Sequence, residues 1–312
     1  MKKKLMNDKI EFNSFNNKKF HHKLRNIILT SSEGFDLPFL HYSLLGIGNL
    51  VLTYLYALYI KSHLKNLEII PFYPIRIIPI IKDFNYWYIR SSFEFNYKIK
   101  HLKRFLYFFL LGKSFRYSFI KKKNLFLSTH IVNLDALFFK KISTLDLQYI
   151  KKNIVTFLNF NYEIKKNNKL DLIQNKKEHI TLGLHLRRGD FMLKKSSSKN
   201  FNSSPDIKSQ IKIIKKIKSK IKIINIYSDQ SKSKTLKELG NKLDNYKLNL
   251  FPTNANGSKV LQDMMKNDVI ILSNSTLSVI SCILTNQLAL FNNQILPGKL
   301  KKYFKNIKEI IC

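Results

Sequence analysis

The most regular pattern of apolar and polar positions in the chain lies at residues 180–190, ITLGLHLRRGD. Apolar side chains occupy every second position from 180 to 186, which is the period of a β-strand with one buried face. The same alternation puts His185 and Arg187 on the other face, at the carboxyl end of the strand. We therefore predict a strand over residues 180–187 that presents polar and cationic side chains where it ends.

Downstream of this strand, segments with strand period and segments with helix period alternate. The predicted elements are, in order, a helix from Ile207 after the cap-and-proline pair Ser204-Pro205, a strand at 221–227, a helix that Gly240 ends, a strand at 247–251, a helix from Ser258, a strand at 269–272, a helix after residues 273–276, and a final strand at 287–291. Repeated strand–helix order implies a parallel sheet that helices cover on both faces.

The N-terminal half is less regular. Residues 1–36 are polar and basic, which predicts a loosely ordered tail, whereas residues 37–60 contain no charged side chain and are long enough to span a bilayer. Two glycines and an asparagine at 46–49 favour instead a short buried strand, a turn, and a buried helix from about residue 50 to 62. The prolines between 66 and 82 predict extended pieces, and residues 100–175 are expected to be mostly helical.

Length and composition allow a folded protein of two domains. The chain has 312 residues, of which 45% are hydrophobic and 13% aromatic, and this composition excludes a disordered protein. The two cysteines, Cys282 and Cys312, form no disulfide framework, and no apolar stretch follows the basic residues at the N-terminus as in a cleaved signal peptide. We therefore expect a cytoplasmic protein.

The formal net charge of +35 taken alone suggests a nucleic-acid or anionic membrane partner. The lysines are dispersed, however, and abundant Lys, Ile, Asn and Phe share adenine- and thymine-rich codons, so the charge reflects a compositional bias as readily as a binding function. We expect no nucleic-acid partner. Peripheral association with anionic lipid at the inner face of a membrane stays open.

Polar residues follow three of the predicted strands. The first group has His185, Arg187, Arg188 and Asp190, the second has Ser228 and Asp229, and the third has Ser273, Asn274, Ser275 and Thr276. Open α/β sheets bind ligands beyond the carboxyl ends of their strands. Arginine pairs with phosphate, a carboxylate accepts hydrogen bonds from ribose or a base, and the start of a helix offers N–H groups to phosphate. The three groups together predict a nucleotide site.

Each group also has a plainer explanation. Arg-Gly-Asp at 188–190 is sometimes an adhesion tripeptide, although the strand predicted directly before it is unlike an exposed loop tip. Arginines at a strand end are often only solvated. The groups at 228–229 and 273–276 would also serve as ordinary helix caps.

Four segments, in the same order along the chain, resemble the motifs of the α-1,2-fucosyltransferases and their relatives. Residues 185–190, HLRRGD, resemble the family's His-x-Arg-Arg-Gly-Asp motif, and Tyr-Ser-Asp at 227–229 resembles its aromatic-Ser-Asp-Asp segment. Residues 261–278, with Asp263 and Met265, are similar to the third motif, and GIGN at 46–49 resembles the N-terminal Gly-Leu-Gly-Asn turn. The resemblance covers about residues 43 to 291.

This resemblance implies a GT-B-like α/β fold of two Rossmann-type domains with parallel sheets and a cleft between them. Residues 1–36 would be the basic tail, 37–175 the acceptor-side domain, and 176–312 the domain that binds the GDP-sugar. The implied reaction transfers L-fucose from GDP-fucose to a hydroxyl of a glycan or polysaccharide, with inversion at the anomeric carbon. It implies no metal and no other cofactor.

The resemblance also implies roles for the residues of the motifs. Arg187 would bind the pyrophosphate of the GDP-sugar donor, supported by Arg188, and His185 would contact the nucleotide. Ser228 and Asp229 would bind the guanosine, and Asn274, Ser275 and Thr276 would line the phosphate site. From the N-terminal domain, the donor would be contacted by Gly46, Gly48 and Asn49. Arg187 would also act in catalysis by stabilising the leaving diphosphate. Asp190 is our candidate general base, although a salt bridge that pins the loop is an equal explanation for it.

Departures from the family pattern leave the donor and acceptor open. Gln230 stands where a second aspartate is common, Val279-Ile280 replaces an aromatic pair, and Leu50-Val51-Leu52 replaces a polar-aromatic run. The rival functions are a transferase that uses another nucleotide sugar, a basic nucleic-acid- or membrane-binding protein without catalysis, and an inactive relative.

Overall fold

The chain divides into two compact units, the first with Met1–Pro79 and Ser91–Phe160 and the second with Ile80–Arg90 and Asn161–Cys312. The computed structural model describes residues 27–31, 34–37, 40–43, 47–63, 68–70, 119–121, 124–128, 136–158, 179–186, 207–228, 234–251, 257–285 and 287–311. The boundary expected between residues 175 and 176 lies outside these ranges. The GT-B-like pairing of the two units therefore stays a prediction.

The first unit is built on a mixed sheet of four short strands. Its elements are β1 (Ile27–Ser31), β2 (Gly34–Leu37), β3 (Leu40–Ser43), α1 (Ile47–His63), β4 (Glu68–Ile70), β5 (Phe119–Lys121), β6 (Asn124–Ser128), α2 (Ala136–Ser143) and α3 (Leu147–Leu158). The order in the sheet is β4-β1-β6-β5, with β5 antiparallel to β6 and the other neighbours parallel. β2 and β3 form a separate antiparallel pair.

Several predictions for the N-terminal half were wrong. The strand β1 lies inside the segment expected to be a loose tail, and it pairs with β4 and β6 because its Ile-Ile-Leu run is apolar enough to enter the sheet. The sheet is mixed rather than parallel. Most of the described residues between 100 and 175 are helical, as expected, but the strands β5 and β6 also lie in this stretch.

The glycine-rich turn at 46–49 was also placed incorrectly. α1 begins at Ile47, so Gly48 and Asn49 belong to its first turn, while Gly46 lies outside the described residues. A glycine costs a helix only about 1 kcal/mol, and burial of α1 on every side from Val51 to Leu58 outweighs that cost. None of the helices in the described ranges combines the length and the apolar character of a membrane span.

The second unit contains a six-stranded parallel sheet. Its elements are β7 (His179–Leu186), α4 (Ile207–Lys216), β8 (Lys220–Ser228), α5 (Lys234–Lys242), β9 (Leu248–Leu250), α6 (Gly257–Met264), β10 (Val269–Ile271), α7 (Thr276–Thr285), β11 (Leu288–Phe291), α8 (Ile295–Leu300) and β12 (Ile307–Glu309). The sheet order is β12-β11-β10-β7-β8-β9, and every neighbouring pair is parallel.

This strand order is that of the Rossmann-type dinucleotide-binding folds. Counted from β7 as the first strand of the unit, the order is 3-2-1-4-5-6, so the chain proceeds to one side from β7 through β8 and β9 and then crosses to β10 on the other side. The α/β class and the parallel sheet predicted from the strand–helix alternation are confirmed for this unit.

One face of this sheet is aliphatic. Every second residue of β7, from Ile180 to Leu186, packs in a cluster with Ile224 and Ile226 of β8, with the isoleucines of α4, and with Leu239 of α5. The prediction of a single buried face was nevertheless wrong for the end of β7, since Gly183 and His185 on the opposite face are buried too. Both faces are covered because β7 lies in the middle of a parallel sheet.

Two predicted boundaries also differ from the structure. α5 runs through Gly240 to Lys242, because this glycine keeps the helical conformation of its neighbours. The strand expected to be the last is followed by α8 and by β12, which pairs with β11 at the edge of the sheet. β12 has only three residues, too few for a clear alternation.

The opposite face of the sheet carries a polar network centred on Asn267, which follows α6. Its side-chain Nδ2 donates to the Tyr227 hydroxyl at 2.9 Å and to the carbonyl oxygens of Asp263 and Met264 at 3.1 Å each, and its Oδ1 accepts from Asn225 Nδ2 at 2.8 Å. A Cβ added at Gly183 would lie 3.0 Å from Asn267 Nδ2. Gly183 therefore leaves the space over β7 that this amide occupies.

Replacement of Gln210 by Met is expected to stabilise the protein. Gln210 lies in the buried stripe of α4 with 1% exposure, and neither atom of its amide has a hydrogen-bond partner among the residues that the structure describes. Methionine has a similar length without the cost of a desolvated amide, so Gln210→Met should raise the free energy of unfolding by about 1–2 kcal/mol, measured by urea denaturation. Gln148→Met at an exposed helical position is the control, with an expected change within about 0.5 kcal/mol. A lower stability of Gln210→Met would contradict the assignment of an unpartnered amide.

Candidate functional site

The three predicted polar groups follow strands that are neighbours in the sheet. Leu186 pairs with Ser228 across β7 and β8, and Leu184 pairs with Ile271 across β7 and β10, so these three strands end at the same edge. The gap between β7 and β10 is where the strand order reverses, and ligands of open α/β sheets bind at this switch point. The predicted convergence of strand ends is therefore present in the described part of the site.

His185 and Ser273 connect the two strands on either side of the switch point. Ser273 Oγ lies 2.8 Å from His185 Nδ1, and each residue is 1% exposed. Ser273 lies two positions after the last residue of β10, and the intervening Leu272 still donates its N–H to the carbonyl oxygen of Leu290 in β11 at 2.8 Å. The contact therefore joins β7 to the turn that follows β10. The sequence contained both residues but no signal for their pairing, because they are 88 positions apart.

The turn at 273–276 leads from β10 into α7. Ser275 Oγ accepts a weak hydrogen bond from the N–H of Leu277 at 3.4 Å, so Ser275 acts as the N-cap, and Thr276 is the first helical residue. Asn274 Oδ1 accepts from the N–H of Leu296 in α8 at 3.2 Å. The capping explanation is thus correct for Ser275, and Asn274 holds the turn to the next element. Neither of these neutral contacts removes the partial positive charge that the helix dipole places at the N-terminus of α7.

The carboxyl end of β8 is fixed by Tyr227. This side chain is buried, its hydroxyl donates to Asp263 Oδ2 at 2.7 Å, and its ring lies 5.5 Å from that of Phe251. Burial raises the pKa of the Tyr227 hydroxyl, and the nearby Asp263 carboxylate raises it further, so the hydroxyl stays a donor at neutral pH. Ser228, the next residue, is fully buried. The resemblance included Tyr227 and Asp263 but gave no reason to connect them.

Other predicted site residues are not brought together by the described structure. Arg187, Arg188, Asp190, Asp229 and Gly46 lie outside the described residues, and their roles stay predictions. Gly48 and Asn49 belong to the first unit. Within the described ranges, no group of three or more His, Cys, Asp or Glu residues is placed to hold a metal ion.

No protein-family model matches the chain, and no curated protein matches it. The chain is similar to crystal structures of POFUT1, one of the apo form and two in complex with GDP-fucose. The identity is 11% in each case, with TM-scores of 0.31 for the apo structure and 0.31 and 0.32 for the complexes. The match to the apo structure covers 90% of this chain and 79% of that chain. A similarity at this level assigns neither a family nor an activity.

Proposed function

We propose that this protein is a glycosyltransferase that transfers L-fucose from GDP-fucose to a hydroxyl group of a glycan, with inversion and without a metal ion. One observation carries the proposal. His185 and the turn that begins at Ser273, which belong to two motifs resembling those of α-1,2-fucosyltransferases, are hydrogen-bonded to each other at the switch point of a Rossmann-type sheet. A nucleotide-binding edge is where donor-binding motifs have to meet.

The chemistry requires positive potential at the departing diphosphate. Transfer breaks the bond between the anomeric carbon and the diphosphate oxygen through an oxocarbenium-like transition state. Without a metal ion, the developing negative charge has to be stabilised by cationic side chains and by helix N-termini. Arg187, next in sequence after β7, is the proposed cation, and the N-terminus of α7 with Ser275 and Thr276 is the proposed second source.

The acceptor hydroxyl has to lose a proton as it attacks. Asp190 is the proposed general base because it is the carboxylate nearest in sequence to the proposed diphosphate-binding arginine. Asp229, directly after β8, is proposed to hold the guanosine, since a carboxylate after the second strand accepts hydrogen bonds from the nucleoside in folds of this strand order.

Binding of GDP and GDP-fucose is the first expected result. A ligand at a hundred times its Kd stabilises the folded state by about 2.7 kcal/mol, which should raise the thermal unfolding midpoint by several degrees. The measurement is a thermal shift with GDP, GDP-fucose, GDP-mannose and UDP-sugars, each with and without EDTA. We expect the shift with GDP and GDP-fucose, and we expect EDTA to leave it unchanged.

Each alternative result has a definite meaning. A shift with a UDP-sugar alone would overturn the proposed donor and retain a nucleotide-sugar transferase. A shift that EDTA removes would overturn metal independence. No shift with any nucleotide would contradict the proposal and favour an inactive relative or a binding role for the basic surface.

A further inference from the structure

The amino ends of β7 and β8 project beyond their neighbours in the sheet. β7 and β8 pair from His179 and Lys220 onward, whereas β10 begins only beside Leu182 and β9 only beside Ile224. The first residues of β7 and β8 therefore form a two-stranded projection. It lies at the edge of the sheet opposite to the carboxyl ends of the strands, where the donor site is proposed.

Exposed lysines are concentrated at this projection. Residues 207–228, from α4 to the end of β8, include seven lysines and no aspartate or glutamate. Lys218, Lys220 and Lys222 are exposed at the projection itself. Lys247 is exposed beside it, and its carbonyl oxygen accepts the N–H of Ile224 in β8 at 2.9 Å. We call these four lysines the lysine tip.

The backbone that carries the lysine tip is anchored to the core. Ile217 and Ile221 alternate with the lysines and pack against the aliphatic cluster of the sheet. The register of β7 and β8 shifts between Ile180 and Thr181, so Lys222 is the extra residue of a β-bulge. Bulges re-aim side chains at the ends of sheets. The lysines are therefore presented by fixed backbone rather than by a long loop.

The charge of the lysine tip is not neutralised by described residues. None of its four lysines forms an ion pair with a residue that the structure describes, whereas three other lysines of this unit pair with carboxylates: Lys242 with Glu238, Lys266 with Asp263 and Lys301 with Glu309. Lysines in the last turn of α4 complement the dipole of that helix, but the tip lies beyond the helix. Clustered charge of one sign attracts an anionic partner.

An anionic lipid surface fits the lysine tip better than RNA does. Lysine binds as a point charge, and anionic headgroups attract each nearby lysine without a fixed geometry. Ile217, Ile221 and Ile223 are half-buried between the lysines, and apolar side chains among cations are typical of interfacial membrane binding. Single-stranded RNA is held on exposed aromatic rings, whereas Tyr246, next to Lys247, packs against the aliphatic cluster.

We infer that the lysine tip docks this protein on the surface of an anionic membrane. The inference does not rest on the proposed transferase activity. Docking through the amino ends of β7 and β8 does not occupy the carboxyl ends of the strands, so the proposed donor site and the lysine tip can be tested separately.

The test is co-sedimentation of the full chain with lipid vesicles at about 0.15 M salt. We expect binding to vesicles of phosphatidylglycerol and phosphatidylcholine in equal parts, and none to phosphatidylcholine alone. A lysine near an anionic surface contributes about a fivefold factor, so joint replacement of Lys218, Lys220 and Lys222 by Gln should weaken binding about a hundredfold. Joint replacement of the same three residues by Arg retains the charge and should retain the binding.

The matched control removes three exposed lysines from helices of the same unit. Joint replacement of Lys212, Lys237 and Lys259 by Gln should weaken vesicle binding by no more than about threefold, because salt screens charges more than about 8 Å from the contact. Each variant should keep the unfolding midpoint and the GDP affinity of the unsubstituted protein.

Three results would overturn the inference. If the two Gln variants lose vesicle binding equally, the net charge and not the lysine tip attracts the protein. Equal binding to both kinds of vesicle would show that the charge is not needed. If anionic vesicles are not bound, while single-stranded RNA is bound and the tip variant weakens that binding, the lysine tip belongs to a nucleic-acid surface.

Discussion

Arg187→Ala is expected to lower the rate of fucose transfer from GDP-fucose by about a hundredfold or more. In acyl-transfer enzymes, loss of one hydrogen-bond donor that stabilises developing negative charge lowers the rate by a factor of about 10² to 10³. The departing diphosphate carries more negative charge than a carbonyl oxygen does. The acceptor is unknown, so the measurement is release of GDP from GDP-fucose with water as the acceptor, together with GDP affinity. Arg187→Lys should recover only part of the rate, because an ammonium group lacks the bidentate geometry of a guanidinium.

The control for this substitution removes the same charge elsewhere. Lys212 is exposed on α4, and Lys212→Ala should leave GDP release and GDP affinity unchanged. If the protein is instead a basic RNA-binding protein, Arg187→Ala and Lys212→Ala should weaken RNA binding by similar small factors. Each substitution should also reduce the slope of RNA affinity against salt concentration by about the amount expected for one phosphate contact. Weaker RNA binding by Arg187→Ala without any detectable transfer would favour that function over catalysis.

The fold of the second unit could be predicted from the sequence because each element buries an apolar pattern of clear period. Ile207, Ile211 and Ile214 predicted the buried side of α4, and the alternation before Leu186 predicted β7. The order of the strands could not be predicted, because strand pairing depends on contacts between distant segments. Only the structure reveals that β10 lies beside β7, and this pairing defines the switch point.

The first unit was harder to predict because its elements are short or depart from simple periods. β1 and β6 have five residues each, and the buried helix α1 is apolar on all sides, so its sequence resembles a membrane span as much as a core helix. It begins at Ile47, where the two glycines had predicted a turn.

The site was predicted as a set of residues but not as a set of contacts. Residues that follow parallel strands must share an edge, so the meeting of the groups after β7, β8 and β10 could be anticipated. Two hydrogen bonds could not be predicted, the one between Ser273 and His185 and the one between Tyr227 and Asp263. They depend on strand register and on side-chain rotamers, which cannot be derived from the pattern of a single sequence. These two bonds fix the ends of β7 and β8 on the same face of the sheet.

Asn267→Ala is expected to lower the free energy of unfolding by about 3 kcal/mol, as measured by urea denaturation. The amide of Asn267 satisfies two carbonyl groups at the end of α6 and accepts a hydrogen bond from Asn225 over β7. Alanine would leave these groups without that partner in a buried space, and a buried polar group that loses its partner costs about 1–3 kcal/mol. Asparagines are frequent in this chain, and the sequence does not distinguish Asn267 from most of the others. A large loss of stability would therefore result from the position of Asn267 in the fold.

Asn241→Ala is the matched control, since Asn241 is exposed in α5 and its loss should change stability by no more than about 0.5 kcal/mol. The network also reaches the candidate site, because Asn267 donates to the Tyr227 hydroxyl at 2.9 Å. GDP affinity measured well below the unfolding midpoint should therefore fall in Asn267→Ala but not in Asn241→Ala. A loss of stability below 1 kcal/mol would mean that the network relaxes around the substitution, and that the end of β8 is held mainly by the bond between Tyr227 and Asp263.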